Sequence, residues 1–383
     1  MSGYDRTMGD APLATPLAQL IAAGIRAGGP MRIDEYMQLC LLHPEHGYYA
    51  TRDPFGAHGD FTTAPEISQM FGEMIGFALA QAWLDQGQPK PFTLAEIGPG
   101  RGTLMADLLR AIKIVPGMRE AADVILIEAS PHLRQLQRDK LGQVRHLDRI
   151  EDLPKQPLFL IANELFDALP IRQFQRARQG WSERIIALDP QGGLALGLAA
   201  PIKGLGDGGL GDGLGDLLPQ GDPNLPEGEI REICPLGVSI ASGLGALVSQ
   251  YGGAAIFIDY GTWDGHGDSF QALRRHQPED VLAHPGEADL TAHVDFAPLA
   301  RAAHRQGAAV SGLVTQGAWL QAMGIATRAE RLAAAGDAGA MQALHRLTGG
   351  DEMGQLFKAM AIWSPKFPPP PGFQPQDPDA HDA

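Results

Sequence analysis

Short, continuously apolar segments alternate along most of the chain with longer segments of helical periodicity. The pattern predicts strands at residues 92–97, 124–127, 158–162, 254–258, 308–314 and 356–363. It predicts helices at residues 16–26, 33–42, 66–86, 103–112, 131–141, 236–251 and 328–347. Strands that are apolar on both faces are typical of a parallel sheet covered by helices on each side, so the expected fold is α/β.

Changes in composition divide the chain into five segments. Residues 171–198 show alternating apolar positions and glycine turns, which predict a short antiparallel meander. Residues 204–216 form a glycine-rich loop with no expected role in the chemistry. The resulting division is a helical extension and lid (1–88), the first half of the core (89–170), an inserted meander and loop (171–234), the second half of the core (235–363) and a disordered, proline-rich tail (364–383).

The net charge of the chain disfavours one class of function, binding to nucleic acid. The 383 residues include 30 Lys and Arg against 45 Asp and Glu, giving a net charge of −15. A protein that grips nucleic acid without regard to sequence needs a basic surface, so no nucleic-acid partner is expected. The acidic balance does permit a basic protein substrate.

The compartment is inferred from what the sequence lacks. Two cysteines, Cys40 and Cys234, do not make a disulfide framework and fit a reducing compartment. We find no apolar run of about 18 residues and no secretory or transit signal, so neither a membrane helix nor export is expected. The expected location is the cytoplasm. Cys40, His43 and His46 have a zinc-like spacing, but a structural site needs four ligands, so no metal is predicted.

A glycine-rich turn follows the first core strand, with the sequence Glu96-Ile97-Gly98-Pro99-Gly100-Arg101-Gly102. Gly98, Gly100 and Gly102 allow a tight turn and close approach of a ligand to the helix that follows. The dinucleotide pattern wants a third glycine where Thr103 stands, which disfavours a nicotinamide cofactor without excluding it. With the acidic Glu96 before it, the turn resembles the first motif of class I S-adenosylmethionine methyltransferases, where such an acid helps to position the ligand's ammonium group.

Two further carboxylates are predicted near this turn. Glu128 follows the second strand, where an acid accepts hydrogen bonds from both ribose hydroxyls of a nucleoside. Both cofactor classes use such an acid, so Glu128 does not discriminate between them. Asp148 follows a shorter segment and is expected either beside an adenine ring or as a solvated loop carboxylate.

The acceptor side of the site is predicted at the end of the strand at residues 158–162. Asn163, Glu164 and Asp167 come directly after it, and ligands of open α/β sheets bind beyond the carboxyl ends of the strands. The Asn/Asp-Pro-Pro-aromatic signature of methyltransferases for adenine N6 or glutamine is missing. Carboxylates instead match the planar, five-donor guanidinium group. Capping of the following turn is the alternative role of Glu164 and Asp167.

Three further polar residues are candidates for the acceptor pocket. Asp60 and Glu66 lie in a polar segment that joins a loop to a helix start and would form a wall or lid. Glu66 would otherwise be a first-turn acid of that helix. His293 would shape the pocket or serve as a hydrogen-bonded structural histidine.

Seven blocks of sequence occur in order, at residues 43–49, 59–72, 96–102, 163–170, 258–261, 289–296 and 354–358. Together they resemble the MidA family over residues 15–363. The resemblance implies a Rossmann-like class I methyltransferase sheet with helices on both faces, an N-terminal helical extension and a small inserted antiparallel β/loop region. A late antiparallel strand would complete the seven-stranded sheet of this fold.

The same resemblance implies S-adenosylmethionine as cofactor and a protein substrate with an accessible arginine. Mitochondrial members of the family dimethylate symmetrically an arginine of the 49-kDa subunit of respiratory complex I. A complex I subunit or its bacterial equivalent is therefore the expected target. Within the family, the missing transit signal would fit a bacterial member, so the expected location becomes a bacterial cytoplasm. The alternatives are a methyltransferase for another nucleophile and an assembly chaperone that binds S-adenosylmethionine without turnover.

Overall fold

A computed structural model of the protein describes residues 14–51, 63–178, 180–202, 225–265 and 267–380. Within these residues the helices are α1 (Pro16–Gly28), α2 (Ile33–Leu42), α3 (Tyr48–Thr51), α4 (Ala64–Ile67), α5 (Gln69–Asp85), α6 (Thr103–Ile112), α7 (Met118–Ala121), α8 (Pro131–Leu141), α9 (Pro235–Tyr251), α10 (Phe296–Arg305), α11 (Gln316–Ala322), α12 (Ile325–Ala334), α13 (Ala340–Thr348) and α14 (Met353–Leu356). Short 3-10 helices span Ile150–Asp152 and Phe166–Ala168.

The strands fall into three sheets. They are β1 (Met31–Arg32), β2 (Phe92–Ile97), β3 (Ala122–Ile127), β4 (Arg145–Leu147), β5 (Leu158–Asn163), β6 (Arg172–Ala177), β7 (Gly180–Leu188), β8 (Leu194–Leu198), β9 (Ile230–Ile233), β10 (Gly253–Thr262), β11 (Gln271–Arg274), β12 (Gln277–Glu279), β13 (Asp289–Thr291), β14 (Val294–Asp295), β15 (Ala309–Val310), β16 (Val314–Thr315) and β17 (Phe357–Trp363).

The central sheet has the strand order β15-β17-β10-β5-β2-β3-β4, with β14 beside β10 and β16 beside β17. Strands β4, β3, β2, β5 and β10 are parallel, and β17 runs antiparallel to β10. This confirms the predicted α/β sheet and its late antiparallel strand. In the register, Ile97 pairs with both Ile127 and Ala162, and Ile258 pairs with Asn163. Strands β3, β2 and β5 therefore end at nearly the same level, and β10 passes this level at Asp259.

Helices cover both faces of the central sheet. Along β5, Phe159 and Ile161 pack in the core beneath α5 and α6, whereas Leu160 and Ala162 pack against α9 and α10. Because successive side chains of a strand point to opposite faces of the sheet, each buried strand contributes side chains to both cores. Gly72 lets α5 approach α6 closely, since an added Cβ would lie 2.7 Å from the Cβ of Asp107.

Two predicted helices are interrupted in the structure. The helix predicted at residues 66–86 is divided between α4 and α5, because Ser68 has extended backbone and its hydroxyl caps α5 by accepting from the Met70 amide. The helix predicted at residues 328–347 is divided between α12 and α13 around Gly336, whose φ of +101° ends the first helix. The strand predicted at residues 308–314 is likewise two short strands, β15 and β16.

A second sheet contains the predicted meander. Strands β6, β7 and β8 pair antiparallel as expected, and β9 and β1 extend the sheet. The N-terminal helices pack on it: Tyr36 of α2 shares a buried core with Ile186 of β7. A third sheet of β12, β11 and β13 was not predicted. The glycine-rich loop at 204–216 lies outside the described residues.

The prediction of a disordered tail was wrong for residues 364–380. Phe373 is 1% exposed and packs against Trp319, whose indole donates to the Pro371 carbonyl. The backbone amide of Gln376 donates to the Val310 carbonyl, so the tail extends the central sheet at its edge strand β15. The high proline content disfavours helix but permits an extended segment that binds to an existing surface.

We expect Phe373→Ala to lower the free energy of unfolding by about 3 kcal/mol, because it removes a buried aromatic ring and leaves a cavity against Trp319. Chemical denaturation would measure the change. Gln374→Ala, at an exposed neighbouring side chain, is the control and should shift stability by less than about 0.5 kcal/mol. Equal effects of the two substitutions would show that the tail does not contribute through Phe373.

Candidate active site

One cavity of about 1330 Å³ opens at the carboxyl ends of the parallel strands. Its lining includes the glycine turn after β2, Glu128 after β3, and Asn163, Glu164 and Asp167 at the end of β5. Small-molecule sites commonly occupy about 300–1,000 Å³. The cavity is therefore large enough to take a cofactor together with part of a second reactant.

The glycine turn has the backbone that its sequence predicts. Gly98, Gly100 and Gly102 have φ values of 66°, 51° and 73°, a region that disfavours residues with a Cβ. A Cβ at Gly98 would also lie 3.1 Å from the Cδ1 of Leu165. Helix α6 begins directly after Gly102, which has no side chain to cap its first amides. The turn thus presents the positive end of a helix to the cavity.

Glu96 lies inside the cavity wall, two residues before the turn. It is 3% exposed, and its carboxylate accepts a hydrogen bond from the Met105 amide of α6. Its Oε2 atom has no hydrogen-bond partner. Burial raises the pKa of Glu96 to about 8, and the nearby Glu128 carboxylate adds to this effect. A cationic group bound at this point would favour the ionised form of Glu96.

This pKa makes stability depend on pH in a defined direction. The folded state holds the proton of Glu96 more tightly than the unfolded chain does, so stability falls as pH rises from about 4.5 to about 8. Glu96→Gln removes this titration. We expect the free variant to match the wild type near pH 5 and to exceed it by roughly 4 kcal/mol at pH 9, because one pKa unit corresponds to about 1.4 kcal/mol.

Denaturation of the free proteins at both pH values would measure the difference. Glu330→Gln replaces an exposed helical glutamate and should show no such pH-dependent gap. A constant difference between Glu96→Gln and the wild type across the range would contradict the raised pKa.

Glu128 lies at the tip of β3 and is 8% exposed. Its carboxylate accepts from the Ser130 amide at 2.7 Å and from the Gln137 amide nitrogen at 3.3 Å. Gln137 also donates to the Gly100 carbonyl at 2.7 Å. This glutamine therefore links the glycine turn to Glu128, and burial raises the pKa of the Glu128 carboxyl group.

Asp148 lies at the rim of the same cavity, and its side chain is 80% exposed. Arg134 of α8 pairs with it at 2.6 Å and also donates to the Glu128 and Leu147 carbonyls. Asp148 is thus exposed at a position that borders the cavity, and its place beside an adenine ring stays a prediction.

Asn163 and Glu164 end β5 at the other side of the cavity. The Asn163 amide nitrogen donates to Glu164 Oε1 at 3.0 Å, and the Ala64 amide of α4 donates to the same oxygen at 3.3 Å. Glu164 has a φ of 50°, which is unusual for a residue with a side chain. Burial, reinforced by the neighbouring Asp167 carboxylate, raises the pKa of Glu164 to about 8.

The left-handed backbone at Glu164 is supported from the next strand. Asp259 of β10 is fully buried, and its Oδ2 accepts from the amides of Leu165, Phe166 and Asp167 at 3.1, 2.9 and 3.3 Å. These three bonds fix the turn that carries Glu164 and Asp167. Asp259 was not predicted as a site residue, although it directly follows the strand predicted at 254–258.

Asp167 is 7% exposed and accepts a hydrogen bond from the Tyr260 hydroxyl. Its Oδ1 atom has no hydrogen-bond partner. Burial raises the pKa of Asp167 above its usual range. Because Tyr260 directly follows Asp259, a single stretch of β10 orders both the backbone and the side chain of the turn.

A third carboxylate lines the acceptor side. Asp289 of β13 is 4% exposed and accepts from the Tyr49 hydroxyl at 2.9 Å. Its charge contributes to the raised pKa of Glu164. Asp289 comes from the sheet that the apolar pattern did not reveal, so its place beside Glu164 could not be deduced from spacing.

Two of the remaining candidates, Glu66 and His293, line the same cavity but do not belong to this carboxylate group. Glu66 of α4 accepts from the Thr103 hydroxyl at 2.6 Å and lies 3.7 Å from Arg101, so it borders the glycine turn. His293 is exposed, lines the cavity and stacks edge-on against Tyr260. Partial desolvation of its ring, which packs against Tyr260, and the Lys358 ammonium lower the pKa of His293. Asp60 lies outside the described residues.

Buried oxygens without partners indicate where a ligand fits. Glu96 Oε2, Asn163 Oδ1 and Asp167 Oδ1 are such atoms, and all three residues line the cavity. A buried polar atom left unpaired costs about 1–3 kcal/mol, so groups that donate hydrogen bonds are favoured there. These acceptor atoms suit the ammonium and ribose hydroxyls of S-adenosylmethionine, which are donors, and the amides at the start of α6 suit its carboxylate, which is an acceptor.

Solved structures with the same fold include two crystal structures from Burkholderia thailandensis. One is described as a "likely methyl transferase" bound to S-adenosyl-homocysteine. It has a TM-score of 0.79 and 27% identity, and the match covers 94% of this chain and 97% of that one. The other, a native structure, has a TM-score of 0.77 and 28% identity over 94% of this chain and 96% of that one. Together with the family match below, the bound product supports S-adenosylmethionine as cofactor.

Curated relatives carry the name protein arginine methyltransferase NDUFAF7, mitochondrial. The protein from Xenopus laevis is 34% identical over 91% of this chain and 86% of its own length. The human protein is 34% identical over 82% of this chain and 74% of its own length. These mitochondrial relatives overturn the expectation of a bacterial cytoplasm. Among the described residues, no helix is long and apolar enough to cross a membrane.

The central part of the chain matches a protein-family model. The family is described as "Putative S-adenosyl-L-methionine-dependent methyltransferase", and the match covers residues 74–314. That span includes the glycine turn, Glu128, the Glu164 turn and Asp289. The chain therefore belongs to the MidA-like family of S-adenosylmethionine-dependent methyltransferases.

Proposed function

We propose that this methyltransferase transfers methyl groups to an arginine side chain of a protein substrate. The observation that carries the proposal is a group of three carboxylates on one side of the cavity, of which Asp167 and Asp289 are buried and Glu164 is partly exposed. A guanidinium is cationic, planar and rich in donors, so it complements this group better than a neutral amide does. The curated relatives named as protein arginine methyltransferases support the same acceptor.

On this proposal the cofactor lies along the glycine turn. Glu96 holds its ammonium group, Glu128 its ribose hydroxyls, and the Asp148 region borders its adenine. When bound, S-adenosylmethionine supplies an electrophilic methyl group for an in-line displacement. Alignment of the acceptor nitrogen supplies much of the rate of such a reaction.

The carboxylates of the Glu164 turn hold the guanidinium and accept a proton. Bidentate contact orients the planar group and concentrates electron density on one nitrogen. Methylation of a guanidinium releases one proton, since the product keeps a single positive charge. The raised pKa of Glu164, about 8 in the free protein, suits a carboxylate that takes up this proton.

The finer proposal concerns the product and the target. We propose symmetric dimethylation of an arginine in a subunit of respiratory complex I, of the 49-kDa type, or in its equivalent. The resemblance to mitochondrial members of the family supports this choice. The acidic protein, with a net charge of −15, is suited to a basic segment of a partner.

Labelled S-adenosylmethionine and a lysate from cells that lack this protein would test the proposal. The purified protein is added, and the labelled band is hydrolysed and analysed for methylated amino acids. We expect symmetric dimethylarginine in a band near 49 kDa. Label in another residue would overturn arginine as the acceptor. Absence of label, with cofactor binding confirmed by calorimetry, would favour an assembly protein that binds the cofactor without turnover.

A further inference from the structure

Three exposed leucines line the active-site cavity. Leu42 ends α2, Leu236 lies in the first turn of α9, and Leu356 ends α14. Their exposed fractions are 46%, 48% and 51%, and all three line the cavity. We call this set the leucine rim.

The leucine rim is more than a scatter of apolar residues. Its members come from three distant parts of the sequence, yet they border a single opening. Leu169, Met353 and Phe357 line the same cavity and connect the rim to the interior. Isolated exposed leucines need no explanation, but apolar residues grouped around a functional opening mark an interaction surface.

The chemistry inside the opening restricts what the rim can bind. The rim encloses a cavity whose inner wall carries Glu164, Asp167 and Asp289. A matching ligand has one cationic, donor-rich group at its centre and apolar groups around it. A polypeptide segment with an arginine between apolar side chains has this composition.

We propose that the leucine rim binds the apolar side chains that flank the target arginine in the protein substrate. This inference rests on the proposed arginine methyltransferase function and adds a preference for the neighbouring residues. The side chains of the segment would lose contact with water against Leu42, Leu236 and Leu356 as the arginine enters. The rim would thus contribute to substrate affinity, and the carboxylates to the placement of the reacting nitrogen.

Two other occupants fit these observations less well. An anionic lipid surface is disfavoured because carboxylates outnumber arginines in the lining of this cavity: Arg32 and Arg346 lie among Glu35, Asp351, Glu352 and further acidic residues. A second copy of the chain covering the rim would close the opening through which a protein substrate must enter. A protein segment is the occupant compatible with both the charges and the access.

Peptide binding to the enzyme saturated with S-adenosyl-homocysteine would test the inference. The probes are two 13-residue peptides of glycine and serine with a central arginine. The leucine peptide has a leucine two positions before and two positions after the arginine, and the serine peptide has serine at both positions. We expect the leucine peptide to bind the wild type at least tenfold more tightly than the serine peptide does. Fluorescence anisotropy of labelled peptides measures this, and peptides with glutamine in place of arginine report the contribution of the guanidinium.

Leu236→Ser and Leu356→Ser remove parts of the rim. Each should weaken binding of the leucine peptide about five- to tenfold, a typical effect of truncating one apolar contact at an interface. Neither should change binding of the serine peptide or the calorimetric affinity for S-adenosyl-homocysteine. Leu198→Ser is the matched control, because Leu198 is 52% exposed and does not line the cavity.

The outcomes separate this inference from the proposed function. If arginine is required but leucine and serine peptides bind equally, or if the Leu198→Ser control has the same effect as the rim variants, the rim inference is overturned. If the leucines matter but glutamine replaces arginine without loss, the proposed acceptor is wrong and the rim remains as a binding surface. No binding of either peptide at millimolar concentration would also overturn the rim inference.

Discussion

Glu164→Gln should lower turnover by about a thousandfold while leaving the affinity for S-adenosylmethionine within about twofold. Glutamine has nearly the same size and can still accept from the Ala64 amide. It lacks the negative charge that holds and orients a guanidinium, and it cannot take up a proton. Labelled methyl transfer to the protein substrate and calorimetry with the cofactor would measure the two effects.

The control for this variant is Glu330→Gln, which changes the same charge on an exposed helix surface. It should leave both turnover and cofactor affinity unchanged. Unimpaired turnover of Glu164→Gln would remove Glu164 from the acceptor site. A comparable loss of cofactor affinity would instead place Glu164 on the cofactor side of the cavity.

Gly100→Val should reduce the affinity for S-adenosylmethionine by at least a hundredfold. Gly100 has a φ of 51°, which a β-branched residue adopts only at a cost of about 1–3 kcal/mol. The residue lines the cavity, and its carbonyl accepts from Gln137, which in turn contacts Glu128. A side chain here would both narrow the cofactor space and displace that hydrogen-bonded link. Calorimetry with S-adenosyl-homocysteine checks the result.

Gly87→Val is a control that distinguishes the effect of backbone strain on stability from the effect of a side chain in the cofactor space. Gly87 has a φ of 81°, no atom lies within 4 Å of a Cβ built there, and it does not line the cavity. We expect this control to lower the melting temperature while keeping full cofactor affinity. Equal loss of affinity in both variants would mean that general destabilisation, rather than the glycine turn, governs binding.

The central sheet was predictable because its strands are buried on both faces. The strand predicted at residues 92–97 and the helix at 103–112 have the observed bounds, since a continuous apolar run and a following amphipathic pattern leave little freedom. The breaks at Ser68 and Gly336 were not predicted. Apolar periodicity continues across both positions, and only the local backbone conformation ends each helix.

The residues of the candidate site were predictable where they directly follow the carboxyl end of a predicted strand. Glu128, Glu164 and Asp167 were selected by that rule, and the structure brings them into one cavity. The same rule applied to β10 would have found Asp259. Asp289 could not be found this way, because it enters from a separate small sheet whose strands carry no clear pattern. The packing of Phe373 was missed because proline-rich composition alone suggested disorder.

The carboxylate group beside Glu164 has a consequence for product release. A guanidinium remains cationic after one or two methyl groups are added, because methylation does not bring its pKa near neutrality. Under the proposed function, Glu164, Asp167 and Asp289 therefore attract product about as strongly as substrate. The change in charge therefore does not promote dissociation of a monomethylated arginine. This favours a second methyl transfer over early release of the product. Discrimination between the methylation states must then depend on the shape of the space around the nitrogen.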